Sequence, residues 1–170
     1  MPATYEKIAT NTVSGTTTTS VTLSSIPSTY TDLILIGSIK GDTASMSFGL
    51  RFNGDSGTNY STTFLEGDGS SAVSSRQTNQ TKIFLSASIS YNSTNFGTQI
   101  IQLMNYSNTT TYKTLVERFN SNGGSFPGVN AGVGLWRNTS AINQLEILVL
   151  VAGQFFAAGS TFTLYGIKAA

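Results

Sequence analysis

Ser45-Met46-Ser47-Phe48-Gly49-Leu50-Arg51-Phe52, followed at once by Asn53-Gly54-Asp55-Ser56-Gly57, is the stretch from which the fold can be read. Met46, Phe48, Leu50 and Phe52 alternate with Ser45, Ser47, Gly49 and Arg51. An apolar period of two buries one face of a strand, whereas a helix would need a period near 3.6. The Asn, the Asp and the two Gly that follow predict a hairpin or short loop into a second alternating run, Tyr60, Thr62 and Phe64.

The same grammar extends in both directions. It predicts further strands near 4–9, 17–24, 32–40, 81–89, 98–105, 112–120, 129–137, 142–151 and 160–168. Turn-formers separate them: Pro27-Ser28, Gly67-Asp68-Gly69-Ser70, Asn92-Ser93-Thr94-Asn95, Ser107-Asn108, Asn122-Gly123-Gly124 and Pro127-Gly128. Turns at such short intervals belong to an all-β chain and not to βαβ units. The expectation is one domain over residues 1–170, an antiparallel two-sheet sandwich of jelly-roll type with Phe48, Phe52, Leu135 and Trp136 in its core. Leu33–Ile36 and Leu145–Val151 show no clean alternation, so each is a central strand covered on both faces or one whose outer face meets another subunit. Residues 67–80 are rich in Ser and Gly and read as a long surface loop. No internal repeat recurs at a fixed period.

Composition excludes whole classes of chemistry. The chain has no Cys and no His, which removes disulfides, thiolate metal sites, cysteine nucleophiles and the usual base of a serine nucleophile. Nine basic residues oppose eight acidic ones and are spread from Lys7 to Lys168, so no basic cluster marks a nucleic-acid partner. Solubility rests on hydroxyl and amide groups, with 25 Thr, 23 Ser and 13 Asn in 170 residues. Met1 and Pro2 lead into Glu6 and Lys7, without the basic start and apolar run of a secretory signal. The longest apolar stretch, Leu145 to Ala152, is far short of the roughly 20 residues that span a bilayer, and no membrane partner is expected.

Four groups of residues invite a functional reading. Asn53 to Asn59 places oxygen side chains at alternate positions, as calcium loops do, but Phe64 stands where an EF-hand needs its bidentate Glu, so Asn53, Asp55 and Asn59 read as turn residues. Glu66 and Asp68 nearby could add oxygens. Glu117 and Glu146 lie in expected strands and could form a glycosidase pair only at a defined separation in one cleft; structural roles, as for Asp32 and Glu6, are the simpler reading. Trp136, Tyr60, Phe64 and Tyr91 could stack on a sugar ring, although a lone Trp in an all-β domain belongs in the core. The sequons at Asn92 and Asn108 are what chance supplies in so hydroxyl-rich a chain. No cofactor, metal or catalytic residue is expected.

Several longer motifs carry a resemblance. Tyr5-Glu6-Lys7-Ile8-Ala9, the segment Ile26 to Leu33, the block Leu50 to Ser61 and the ending Ala157 to Ile167 resemble small structural proteins of tailed bacteriophages, cyanophages among them, nearly end to end. The resemblance implies a non-enzymatic virion protein, made in the host cytoplasm and placed on the virion surface. The first placement is a capsid decoration or cement protein, a homotrimer bound to the major capsid protein; the brevity of the chain favours it. The alternative is a tail-fibre or adhesin module that offers a host glycan its loops. In either placement the contact residues are sought at Asn53, Asp55, Asn59, Tyr60, Glu66, Asp68 and Arg76, and subunit contacts at the edge strands or the C-terminal strand ending at Lys168.

Overall fold

Strands account for every regular element of the described residues, as the period-two pattern requires. The structure, a computed structural model, describes residues 4–43, 46–85, 95–121 and 128–168. In chain order the strands are β1 (Tyr5–Thr12), β2 (Ser20–Leu23), β3 (Asp32–Ile39), β4 (Phe48–Phe52), β5 (Tyr60–Gly67), β6 (Ala72–Gln80), β7 (Ile83–Phe84), β8 (Gly97–Met104), β9 (Lys113–Ser121), β10 (Gly128–Trp136), β11 (Leu145–Val149) and β12 (Thr161–Ile167). Eight form one sheet in the order β1-β12-β3-β8-β9-β10-β5-β6, and four form a second in the order β2-β11-β4-β7. Every pairing is antiparallel. The sandwich is therefore as the sequence predicts, but its twelve strands divide eight and four, which is more than the eight strands of a jelly roll.

The small sheet covers one face of the large one. Phe48, Leu50, Phe52, Leu145 and Ile147 from the small sheet meet Leu33, Leu35, Ile101, Leu115 and Leu164 from the large one, all buried. Aromatic rings lock the two layers together: Phe52 lies 5.4 Å from Trp136 and 6.1 Å from Tyr60, and Phe48 lies 6.1 Å from Phe119. Gly166 of β12 marks the closest approach of another kind. The Tyr30 ring lies flat against its Cα, in the space a methyl group would need.

Three expectations change. Asn53–Asn59 is not a hairpin between paired strands, because β4 lies in the small sheet and β5 in the large one; the turn is a corner between layers, and Phe52 and Tyr60 meet across it. Residues 67–80 are not a loop. Gly67 ends β5, and β6 from Ala72 to Gln80 is the outermost strand, exposed on both faces, so no apolar alternation was there to betray it. Leu135 is not in the core with Trp136, since neighbouring residues of a strand face opposite sides; it points away from the small sheet. The C-terminal β12 lies inside the large sheet, with β1 outside it. The two apolar runs prove to alternate after all: Leu33, Leu35, Leu145 and Ile147 are buried, while Ile36 faces outward. The turns at 92–95 and 122–124, the end of the expected strand 81–89 and Tyr91 lie wholly or partly outside the described residues.

Candidate functional site

Asn53, Asp55, Asn59 and Tyr60 are brought together, and they hold one another. Asn53 and Gly54 both take positive φ, 52° and 69°, and Asp55 N–H donates to the Phe52 carbonyl at 2.9 Å, which closes the tight turn that an Asn-Gly pair favours. The turn aims the Asp55 carboxylate inward. One oxygen accepts Gly57 N–H at 2.8 Å, and the other accepts the Trp136 indole N–H at 2.7 Å and the Asn59 amide at 3.0 Å. Burial pushes the Asp55 carboxyl up, but these donors together with Asn138 outweigh it and hold the group below the usual carboxylate range. Tyr60 is fully buried, donates to the Asp55 carbonyl at 3.0 Å and has its hydroxyl pushed up to about 12 by burial. Asn53 spends its side chain on Ala141, Asn143 and Gln144. The oxygens that resemble a calcium loop are thus already filled with N–H and O–H donors, and among the described residues no group of three or more acidic side chains could hold a metal.

Glu66, Asp68 and Arg76 lie at the far end of β5 and on β6. Asp68 caps the turn between them by accepting Ser71 N–H at 2.7 Å and Ser70 N–H at 2.9 Å, and these bonds lower its carboxyl to about 2. Glu66 accepts the Asn130 amide at 3.4 Å. Arg76 is exposed on the edge strand. Trp136, Tyr60 and Phe64 are buried between the sheets, so none of the three rings presents a face to a sugar.

The inner face of the large sheet carries a polar row that the alternation pattern did not announce. Gln99, Glu117 and Asn130, on adjacent strands β8, β9 and β10, are all buried, Glu117 with 1% of its surface exposed. Gln99 donates to Glu117 Oε2 at 2.7 Å, while Glu117 Oε1, Gln99 Oε1 and Asn130 Oδ1 have no hydrogen-bond partner among the described residues. Burial raises the Glu117 carboxyl to about 7, the Gln99 bond opposes it and the Glu66 charge adds to it. Gly132 leaves the room: a Cβ there would sit 2.7 Å from Glu117 Oε1. Glu146 is elsewhere, on the outer side of the small sheet and paired with Arg51 at 3.1 Å, so the two glutamates share no cleft. Lys113 is also buried, its ammonium held by the carbonyls of Thr111 and Thr139 at 2.8 and 3.0 Å.

The opposite face of the large sheet is bare. Register defines its rows. One row crosses all eight strands as Lys7, Tyr165, Ile34, Gln102, Val116, Val133, Thr63 and Arg76, about 34 Å at the usual spacing between strands. The next carries Ile36, Ile100, Arg118, Ala131 and Leu65. Leu65 is 62% exposed, Val129 61%, Val133 53% and Val116 41%. A groove lined by Leu65, Ile100, Arg118 and Val129 opens between this second row and the one beyond it, which carries Thr98, Asn120 and Val129. With Ile36 and Met104, the exposed aliphatic side chains of this face amount to roughly 600 Å², the upper end of what a soluble monomer leaves uncovered.

Comparison with known proteins adds no family: no family model matches, and no curated protein matches. A solved structure, a protein of unknown function from Shewanella oneidensis MR-1, aligns over 98% of this chain and 77% of its own at 8% identity and a TM-score of 0.21, a likeness too slight to carry an argument.

Proposed function

We propose that this chain is a non-enzymatic structural protein that works by packing the outer face of its eight-stranded sheet against other protein. The observation that carries the reading is that face: Val116, Val133, Val129 and Leu65 stand exposed side by side on a hydrogen-bonded sheet, while Asp55 and Asp68 are spent on turns and Glu117 is turned inward. Flat aliphatic surface of this extent is a site for protein contact. The resemblance to small structural proteins of tailed phages supplies the setting, the surface of the virion. Within it we favour head decoration, with the major capsid protein as partner.

Self-association fits the sheet edges. β6 presents nine residues whose outer edge pairs with no strand among the described residues, without Pro and with Arg76 as its one charge. Such an edge accepts a strand from a neighbouring copy. Three copies per unit is the stoichiometry suggested by the resemblance, and light scattering of the purified protein tests it. The reading as a whole is tested by the copy number of the chain per purified particle. Hundreds of copies support head decoration; a few to some dozens would transfer the protein to the tail; absence from the particle would overturn the virion reading.

A further inference from the structure

The acidic and basic side chains of this protein differ in how many have an internal partner. All eight acidic residues have an internal donor: Glu6 from Lys168 and Tyr30, Asp32 from Asn105, Asp42 from Phe155, Glu146 from Arg51, and Asp55, Glu66, Asp68 and Glu117 as described above. Five of the nine cations are engaged as well: Lys40 over the Phe96 ring, and Arg51, Lys113, Arg137 and Lys168 in hydrogen bonds. Lys7, Arg76, Lys82 and Arg118 make no hydrogen bond, ion pair or ring contact among the described residues. Three of these four lie on one surface. Lys7 and Arg76 stand at the two ends of a row across the outer sheet face, and Arg118 stands near the middle of the next. Glu66 lines the same groove as Arg118 and accepts the Asn130 amide, and Asp32 on the outer face accepts Asn105 N–H. A chain of formal charge +1 thus presents an aliphatic platform with three uncompensated cations.

We infer that the outer face of the large sheet binds a flat protein surface that offers an apolar patch bearing carboxylates spaced to meet Lys7, Arg118 and Arg76. The inference rests on the structural reading above and names the chemistry of its partner. Charge complementarity selects this occupant. A second copy stacked face to face offers the same three cations to this one, and like charges pressed together in an interface cost several kcal/mol. A nucleic acid would look for aromatic platforms on the central strands, where this face has Ile100, Val116 and Val133. An anionic bilayer takes up apolar side chains that protrude from an edge or helix, whereas Leu65, Val116, Val129 and Val133 stand on the plane of a sheet. The platform leaves roughly 600 Å² of aliphatic surface, most of the roughly 800 Å² per partner that a stable protein contact buries.

The test uses the full chain and two synthetic β-hairpin peptides, each with one face of alternating Val and Glu or of alternating Val and Lys. The Glu hairpin is expected to bind at least tenfold more tightly than the Lys hairpin. Arg118→Glu combined with Arg76→Glu should reverse that order while leaving the circular dichroism spectrum and melting temperature unchanged, since neither side chain has an internal partner. Equal binding of the two hairpins, or an unchanged order in the charge-reversed variant, overturns the inference. So does stronger binding to phosphatidylglycerol vesicles or to single-stranded DNA than to the Glu hairpin, and so does a wild-type dimer in sedimentation that the charge reversal leaves intact. The two claims fail separately. A chain absent from particles but selective for the Glu hairpin loses its virion setting and keeps its partner chemistry; a charge-reversed variant that decorates particles at wild-type copy number keeps the setting and loses the partner.

Discussion

Glu117→Gln should make this protein more stable at neutral and alkaline pH, against the usual expectation for a change inside a core. Glu117 is buried, and its carboxyl is raised from 4.5 to about 7 by that burial. The sign follows from proton binding. Below pH 4.5 the folded and unfolded chains both hold the proton. As pH rises toward 7 the unfolded chain releases it while the folded chain keeps it, and stability falls; above 7 the loss is complete. The gap between 4.5 and about 7 corresponds to about 3 kcal/mol as an upper figure. A Gln at 117 keeps an oxygen for the Gln99 amide, carries an N–H where the ionisable oxygen was and cannot acquire charge. Urea unfolding followed by Trp136 fluorescence at about pH 5 and about pH 8 reads the effect. The wild type should lose stability between the two pH values and the variant should not, so that the variant leads at pH 8. Asp55 and Asp68, held low by their donors, act in the opposite sense only at more acid pH and leave this window clear. Parallel profiles for the two proteins would refute the assignment of a neutral, buried Glu117.

Phe52→Ala should cost about 3 to 5 kcal/mol, because the ring packs against both Tyr60 and Trp136, and the loss should be read as a lower urea midpoint. Asp55→Ala should cost about 1 to 3 kcal/mol by leaving the Trp136 indole N–H buried without its acceptor, with a change in Trp136 emission that distinguishes it from general loosening. Gly166→Ala should lower the melting temperature by displacing the Tyr30 ring, and Gly166→Ala with Tyr30→Ala should lose less than the separate effects predict.

How far the sequence could be read depended on whether a strand buries one face. β4 was legible because Phe48, Leu50 and Phe52 all turn inward. β6 was not, since an edge strand beyond the reach of the small sheet has no face to bury and its Ser, Thr and Gln look like loop. β10 misleads in a different way. Its aliphatic set, Val129, Ala131, Val133 and Leu135, faces outward, while Asn130, Gly132, Gly134 and Trp136 face the core. Glu117 fills the space above Gly132, and Ile83 with Leu115 fills that above Gly134, so the inner side is occupied by neighbours' side chains. Pattern alone would have assigned the strand the wrong way round. The Asn53-to-Tyr60 turn was visible as a turn, but turn residues do not say which sheet receives the next strand. The candidate contact residues were chosen from polar loops, and polar loops here are mostly self-satisfied. The exposed face emerges only from register, which sets Lys7 and Arg76, 69 positions apart, at the ends of one row.

The outer sheet face is tested most directly by counting the chain on purified particles for the wild type and for a Val116→Asp, Val133→Asp variant. Both valines are exposed, so the variant should fold and circulate as the wild type does. Its copy number should fall at least tenfold; particles that carry the variant at the wild-type number would rule out the outer face as the contact surface.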